Sequence, residues 1–498
     1  MVIGGIRNVF GVNGVTAAMV LPANKTKIVC TIGPASGSPP VLEKMIYSGM
    51  NIARLNFSHG DFESHRRVIE NLRSAAAESR RRIAVMADLP GPKMRIGRLK
   101  REPIELKPGD MITLTTEEII GDEKRISVTF SRLPRAVRIG DRLFLNDGFI
   151  ELRVESKTGN DVTCSVVAGG VLLSRKGLNL PGIDLGISAF TDRDRECLRF
   201  ALEQGLDAVS QSFVETGADI LSVREAAAEM GHHPFVIAKI ERAGALDHID
   251  DILAAADGIM IARGDLGVEI PIEKIAVIQK QLMEKANRLG KPVITATQML
   301  ESMTSYRRPT RAEATDVANA ILDGTDCVML SGESAIGKYP VEAVQMLAKI
   351  AAVVEPHRPQ IRLEDAAKAY GIRQPLRFTD LLALSVDATL SYRTAAAVIV
   401  PTNSGLTARN ISRFRFPVWI AAVSTQESTC QSLQFSYGVS CECVEEYPED
   451  WKIFARDWLK LHGLTGDLAV VTTGPSEKNP NANYSMQLID LRKVSGIT

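Results

Sequence analysis

The chain has 498 residues, room for about three domains of roughly 150 residues each. Hydrophobic residues make up 45% and charged residues 24%, a globular composition that excludes wholesale disorder. Lys plus Arg number 59 and Asp plus Glu 59, so no bulk charge marks a nucleic-acid binder.

No stretch offers about 18 uninterrupted apolar residues, so no membrane span is expected. Residues 1–24 read as a flexible N-terminal extension. Their apolar runs are too broken by Gly, Asn and Arg7 for a signal peptide, and ordered-looking sequence begins near Lys25. Eight short runs rich in Val, Ile and Ala follow: KIVCTIG (27–33), NIARLNF (51–57), IAVMADL (83–89), AVSQSFV (208–214), FVIAKIE (235–241), GIMIARG (258–264), PVITATQ (292–298) and CVMLSGE (327–333). Each except the third precedes an amphipathic helical pattern. Alternating strands and helices predict a parallel sheet, and eight units predict a closed (β/α)8 TIM barrel over 25–91 and 188–357.

After the third strand the pattern changes. Residues 92–187 alternate as short strands and turns (RISVTFSRL, DRLFLNDGFIELRVE, DVTCSVVAGG). They read as an inserted β-barrel lid domain at the catalytic end of the barrel. From 358 to 498, AAAVIVP, PVWIAAV, VSCECVE, LAVVTTG and MQLIDL read as strands of a separate C-terminal α/β domain. The seven cysteines (Cys30, Cys164, Cys197, Cys327, Cys430, Cys441, Cys443) are scattered and odd in number. This suits a reducing compartment rather than a disulfide framework, and the lone CxC lacks a second pair for zinc.

In a barrel of this kind, polar groups at the C-terminal strand ends carry chemistry. Arg54, Asn56 and Ser58 are two apart and face one way in an extended strand. Lys239 and Glu241 share a face in the same manner, and a charge inside an apolar strand demands a partner or a function. Glu241 and Asp265 end adjacent strands, a carboxylate pair suited to a hard divalent cation. Thr297 ends the seventh strand. GESAIGK (332–338) resembles a phosphate loop, but Tyr339 stands where a hydroxyl should bind magnesium. Arg307, Arg308, Arg311, Glu313 and Asp316 are expected in salt bridges or interfaces. The set suits phosphoryl transfer or chemistry on a magnesium-held enolate, and spacing alone does not separate the two.

Six motifs carry a family resemblance: TKIVCTIGPAS (26–36), ARLNFSHG (53–60), IAKIE (237–241), IARGDLGVEIP (261–271), KPVITATQMLESM (291–303) and RPTRAEATDVANAILDGTDCVMLSGESAIGKYPVEAV (308–344). At these residues the chain closely resembles the pyruvate kinases. The resemblance implies phosphoryl transfer from phosphoenolpyruvate to ADP, giving pyruvate and ATP, with Mg2+ or Mn2+ as cofactor. It implies that Arg54 grips the transferring group, Lys239 stabilises its charge, and Glu241 and Asp265 hold the divalent cation. The backbone at Ala262, Arg263 and Gly264, with Asp265 and Thr297, would bind the substrate carboxylate side, Thr297 lying near the protonation route. His59, Arg95 and Lys176 match nucleotide-facing positions, and Asp147 sits on the lid. The resemblance also implies a cytoplasmic homotetramer with no nucleic-acid or membrane partner.

One departure stands out. Many family members read DTKGPEIRTG where this chain reads DLPGPKMRIG. Asn56, Ser58 and Asp88 of the monovalent-cation site are kept, but Leu89 replaces a Thr and Lys93 replaces a Glu. The Leu is expected to remove an oxygen ligand. The tethered ammonium of Lys93 would replace potassium, as in the potassium-independent branch that this stretch resembles, so K+ should not be required. In the C-terminal domain, TNSGLT (Thr402, Asn403, Ser404, Gly405, Thr407) matches the loop that binds a phosphorylated effector in the family, with Arg409 and Arg413 nearby. The usual glycine-rich loop before the last strand is replaced by SEKNPNANY. Two other readings remain: a non-catalytic metabolite sensor, and a pyruvate or phosphoenolpyruvate lyase on the same barrel.

Overall fold

The computed structural model describes residues 20–183, 185–358, 377–475 and 481–492. Most of the expected N-terminal extension (1–19), the expected start of the last domain (359–376) and residues 476–480 of SEKNPNANY lie outside the described residues.

Eight parallel strands close into a barrel in chain order. They are β1 Lys27–Thr31, β2 Ile52–Asn56, β3 Ala84–Leu89, β4 Ala208–Gln211, β5 Phe235–Ile240, β6 Gly258–Ala262, β7 Val293–Ala296 and β8 Cys327–Leu330. The helices between and after them include α1 Pro39–Tyr47, α2 Phe62–Ser79, α3 Asp192–Glu203, α4 Gly217–Glu229, α5 Ile249–Ala255, α6 Arg263–Glu269, α7 Ile275–Arg288, α8 Arg311–Leu322 and α9 Pro340–Val354. Start signals are local. Asp61 with Ser64, Thr191 with Asp194 and Thr310 with Glu313 form capping boxes that satisfy orphan N–H groups at α2, α3 and α8.

Alternation along the strands decides what faces inward. Val29, Ile52, Met86, Ala208, Ile237 and Met260 fill the barrel interior. Cys30, Ala53, Val85, Ala87 and Ala238 face the helices in the larger outer core. Two residues beyond the first five of these the same face turns polar, at Thr31, Arg54, Asp88, Ser210 and Lys239, while Met260 is followed by Ala262. The apolar plug thus ends in a floor of functional groups. Several strands are shorter than expected at this end. Arg263 begins α6 immediately after Ala262, and Thr297 and Gln298 turn into left-handed conformations at φ 66° and 52°.

The inserted region packs round its own core, from Met94 to Leu185. It holds a six-stranded sheet and a two-stranded ladder, mostly antiparallel. In RISVTFSRL only Arg125–Ser127 is a strand. Gly91 marks the entry, at φ 64°, where a Cβ would lie 2.9 Å from the Phe213 ring. Asp194 accepts the Gly91 N–H (2.8 Å), tying the entry to α3.

The last domain has a five-stranded sheet. Its strands are β9 Ala397–Pro401, β10 Trp419–Ser424, β11 Val439–Cys443, β12 Leu468–Thr473 and the antiparallel β13 Ser485–Asp490. Its helices include α10 Phe378–Tyr392, α11 Leu406–Ser412, α12 Glu427–Ser432 and α13 Trp451–Leu461. This domain stoppers the lower mouth of the barrel. Phe435 is fully buried and stacks on Phe235 at 5.4 Å. Arg415 forms a buried ion pair with Asp326 (2.6 Å), which also accepts the Tyr437 N–H (2.9 Å).

Candidate active site

Asp88 is the hub of the polar floor. It is 2% exposed, and three strands aim donors at it. From β2, Arg54 Nε donates to Oδ2 (2.9 Å) and a second nitrogen, Nη2, pairs with the same oxygen. From β4, Ser210 Oγ donates to Oδ1 (2.7 Å). From β5, the Lys239 ammonium lies 3.2 Å from Oδ1. Burial alone would raise the Asp88 pKa, but the Arg54 and Lys239 charges overcome it and hold the carboxyl at about 2. Arg54 also donates from Nη1 to Thr31 Oγ1 (2.7 Å), which fixes the guanidinium across the first two strands.

Lys239 is enclosed by acceptors. It pairs with Glu241 (2.8 Å) and donates to Ser212 Oγ (2.6 Å), which in turn donates to the Leu89 carbonyl (2.7 Å). Burial works against its charge, yet Asp88 and Glu241 outweigh burial and push its pKa up to about 12. The ammonium is therefore permanent at neutral pH. Glu241 is 2% exposed and accepts the Phe213 N–H (2.9 Å). Its pKa lies above the ordinary carboxylate range, through burial first and Asp265 as well, against the pull of Lys239.

Asp265 sits half-buried in the first turn of α6. A buried carboxylate destabilised by a second one is a donor set that a hard divalent cation relieves. Among the described residues no group of three or more His, Cys, Asp or Glu side chains forms a ligand cage. The fit is thus to an ion like magnesium, held through one or two carboxylates with the remaining ligands from water and substrate.

Thr297 follows the last residue of β7. Its Oγ1 accepts the Gly264 N–H (2.8 Å) and donates to the Ala296 carbonyl (2.7 Å). A β-branched residue at positive φ is strained. Two groups brace it. Arg263 Nη2 donates to the Thr297 carbonyl (2.9 Å) while pairing with Asp316 (2.7 Å). Glu333, fully buried, accepts N–H groups of Leu300 (3.0 Å) and Ser331 (2.7 Å). The phosphate-loop look-alike is therefore a brace, carried on the helical turn Gly332–Ala335. Arg307 pairs with Glu342 (3.0 Å), in line with the salt-bridge expectation.

At the mouth, His59, Lys93, Arg95 and Arg54 share one cationic region. The His59 pKa falls through burial first, then through the Lys93, Arg95 and Arg54 charges. Lys93 is exposed at its outer side, but the cleft walls lower its pKa, with Asp265 the largest opposing influence. Arg95 Nη1 donates to the Arg175 carbonyl (2.9 Å), and the Ile96 N–H donates to the Lys176 carbonyl (2.9 Å). The chain leaving and re-entering the lid thus brings Arg95 and Lys176 side by side. Asn56 pairs in register with Asp88, and its Oδ1 accepts the Ser58 N–H (3.1 Å).

The structure overturns the loss of an oxygen ligand expected at Leu89. Leu89 is fully buried in the outer core, on the same face as Val85 and Ala87. Any residue there offers only its carbonyl to the site, so a Thr side chain at this position supplies no ligand that Leu removes. Thr31, Ser210 and Ser212 were missed. The i, i+2 spacing of Ser210 and Ser212 in AVSQSFV was a usable signal.

The effector-like loop stands apart, at the end of β9. Thr402 Oγ1 accepts the Gly405 N–H (3.0 Å), and Arg409 donates to the Ser404 carbonyl (2.7 Å). Asn403 and Thr407 are half-buried and Ser404 is exposed.

Comparison with known proteins agrees with this architecture. The family model "Pyruvate kinase, barrel domain" matches residues 23–344, and "Pyruvate kinase, alpha/beta domain" matches 380–486. A pyruvate kinase of Thermococcus litoralis is 51% identical over 430 residues, covering 86% of this chain and 90% of that protein. One from Geobacillus stearothermophilus is 43% identical over 460 residues, covering 90% of this chain and 77% of that one. The crystal structure of a pyruvate kinase from Cryptosporidium parvum superposes with a TM-score of 0.87 at 37% identity, covering 94% of this chain and 96% of that chain. The chain belongs to the pyruvate kinase family.

Proposed function

We propose that the polar floor of the barrel moves the phosphoryl group of phosphoenolpyruvate to ADP, giving pyruvate and ATP. The observation that carries the residue roles is the enclosed cation Lys239, held between Asp88 and Glu241 beside Arg54. A terminal oxygen of ADP attacks phosphorus, the bond from phosphorus to the enol oxygen breaks, and the enolate then takes a proton at carbon. Arg54 and Lys239 face the transferring group and offset its charge without reorganising. The backbone at Ala262, Arg263 and Gly264, with Thr297, orients the carboxylate. Asp265 and Glu241 would hold Mg2+ or Mn2+, which would supply positive charge to offset the charge of the transferring group. Thr297 lies beside the path of the proton. His59, Arg95 and Lys176 receive the nucleotide.

Two finer readings belong here. The Lys93 ammonium faces the Asp265 and Glu241 charges and takes the place of a potassium ion beside Asn56, Ser58 and Asp88, so catalysis needs no K+. The Thr402–Thr407 loop receives a phosphorylated effector. The family habit of a cytoplasmic homotetramer is adopted as part of this reading. Among the described residues no helix is long and apolar enough to cross a membrane.

The test is pyruvate formation from phosphoenolpyruvate and ADP with Mg2+, with potassium or with tetramethylammonium at equal ionic strength. Equal rates support Lys93 as the internal cation. Activity with potassium alone keeps the reaction and refutes that role. Pyruvate release without ADP would favour the lyase, and substrate binding without turnover the sensor. A Lys93→Glu variant is expected to regain dependence on potassium.

A further inference from the structure

Away from the active site, three of the seven cysteines meet in the last domain. Cys441 and Cys443 lie two apart on β11 and so share one face. Cys430 on α12 packs against that face in the same small core. The sulfurs of Cys430 and Cys441 are 2.6 Å apart. That is inside any ordinary contact of two thiols and only about 0.6 Å beyond a disulfide bond. We propose that Cys430 and Cys441 form a reversible dithiol–disulfide site, oxidised by a hydroperoxide and reset by a dithiol reductant.

The surroundings suit this chemistry. Cys441 and Cys443 line a cavity of about 160 Å3 between the barrel and the last domain, together with Lys27, Arg80, Arg82 and His462. A small neutral oxidant has a route through it to Cys441, with the fully buried Cys430 sulfur directly behind. The Cys430 pKa is lowered, first by the hydrogen bond from Cys441 and then, against burial, by the Arg82 charge. Burial raises that of Cys441, and that of Cys443 up to about 12. The thiolate of the sulfur that meets the oxidant is the nucleophile, and the other sulfur of the pair resolves. That thiolate attacks one peroxide oxygen, the O–O bond breaks, and sulfenic acid and hydroxide form. The second thiol gives its proton to that hydroxide, making one water. Its sulfur displaces a hydroxide from the sulfenic sulfur, and the proton released when the first thiol ionised turns this into the second water. In sum, two thiols and one hydrogen peroxide give one disulfide and two waters.

The bond would fasten an element with two outward contacts. Glu427 on α12 pairs with Arg82 of the barrel. Thr429 donates to the Asn403 carbonyl (2.5 Å) in the effector-like loop. Oxidation at Cys430 therefore pins the helix that touches both.

The experiment uses the full-length protein, reduced, desalted and exposed to equimolar hydrogen peroxide. It is then denatured in acid and alkylated. Intact mass should fall from seven alkylated thiols to five. Chymotrypsin cuts at Phe435 and Tyr437, between Cys430 and the CxC pair, and should leave one linked peptide containing Cys430. The link should persist in Cys443→Ser, vanish in Cys430→Ser and reverse with dithiothreitol. Oxidation should raise the thermal midpoint by a few degrees in the parent and not in Cys430→Ser. Retention of seven thiols, a Cys441–Cys443 bridge, or a link that survives Cys430→Ser would each overturn the site. A link formed without a rise in midpoint would overturn the fastening role.

Discussion

Lys239 shows how one residue is made useful by enclosure. An ammonium this buried is tolerable only because two carboxylates and a hydroxyl surround it. Replacing it in Lys239→Met removes charge that counts most when phosphorus is between its two oxygens. We expect kcat to fall by roughly 10²–10³ while KM for phosphoenolpyruvate moves less, read by steady-state kinetics with circular dichroism as a folding check. Asp88 gives a pH prediction. Its folded pKa of about 2 lies below the ordinary 3.8. A depressed carboxyl contributes stability that is present above its unfolded value and lost as pH falls through the folded one. The urea midpoint of the parent should therefore drop between pH 4 and pH 2, by an amount on the order of 2 kcal/mol for this group. In Asp88→Asn that limb should be flatter, and an equal slope in both proteins would refute the assignment.

At the scale of elements, the turn after β7 is held by its neighbours rather than by its own preference. Thr297 and Gln298 sit at positive φ, and Arg263 and Glu333 fix the turn through its backbone. Glu333→Ala would leave the Leu300 and Ser331 N–H groups buried and unpaired. The expected cost is about 1–3 kcal/mol in urea unfolding. A fall in kcat should accompany it, because Thr297 loses its place. Unchanged kcat with lowered stability would show that the turn keeps its shape without the brace.

For the whole molecule, the contact between barrel and last domain decides whether the two behave as one. Arg415 and Asp326 are both nearly buried at this seam, and Asp326 also accepts the Tyr437 and Val293 N–H groups. Arg415→Met strands the carboxylate. We expect a loss of roughly 3 kcal/mol, seen as an earlier urea transition. Two separate transitions by tryptophan fluorescence and circular dichroism would mean that the domains have uncoupled. No change in midpoint would refute the role of the pair.

The barrel, the interruption after its third strand and the shared faces of Arg54 with Asn56 and of Lys239 with Glu241 were legible along the chain. These follow from local rules: period-two alternation, capping boxes and the alternation of strand with helix. The sequence also carried the family motifs, which lie at the strand ends. The tertiary structure alone decided what those residues touch. Asp88 looked like one ligand among four, and closure of the barrel made it the shared partner of Arg54, Ser210 and Lys239. Leu89 looked like a lost ligand, and strand pleating turned its side chain into the outer core. Cys430 and Cys441 looked scattered, and packing of α12 on β11 brought their sulfurs together. Leu89 could have been placed by alternation with Val85 and Ala87 on its own strand. For Asp88 and for the two cysteines the deciding distance joins residues on different elements, and a pattern read along the chain holds no information about that separation until the core has packed.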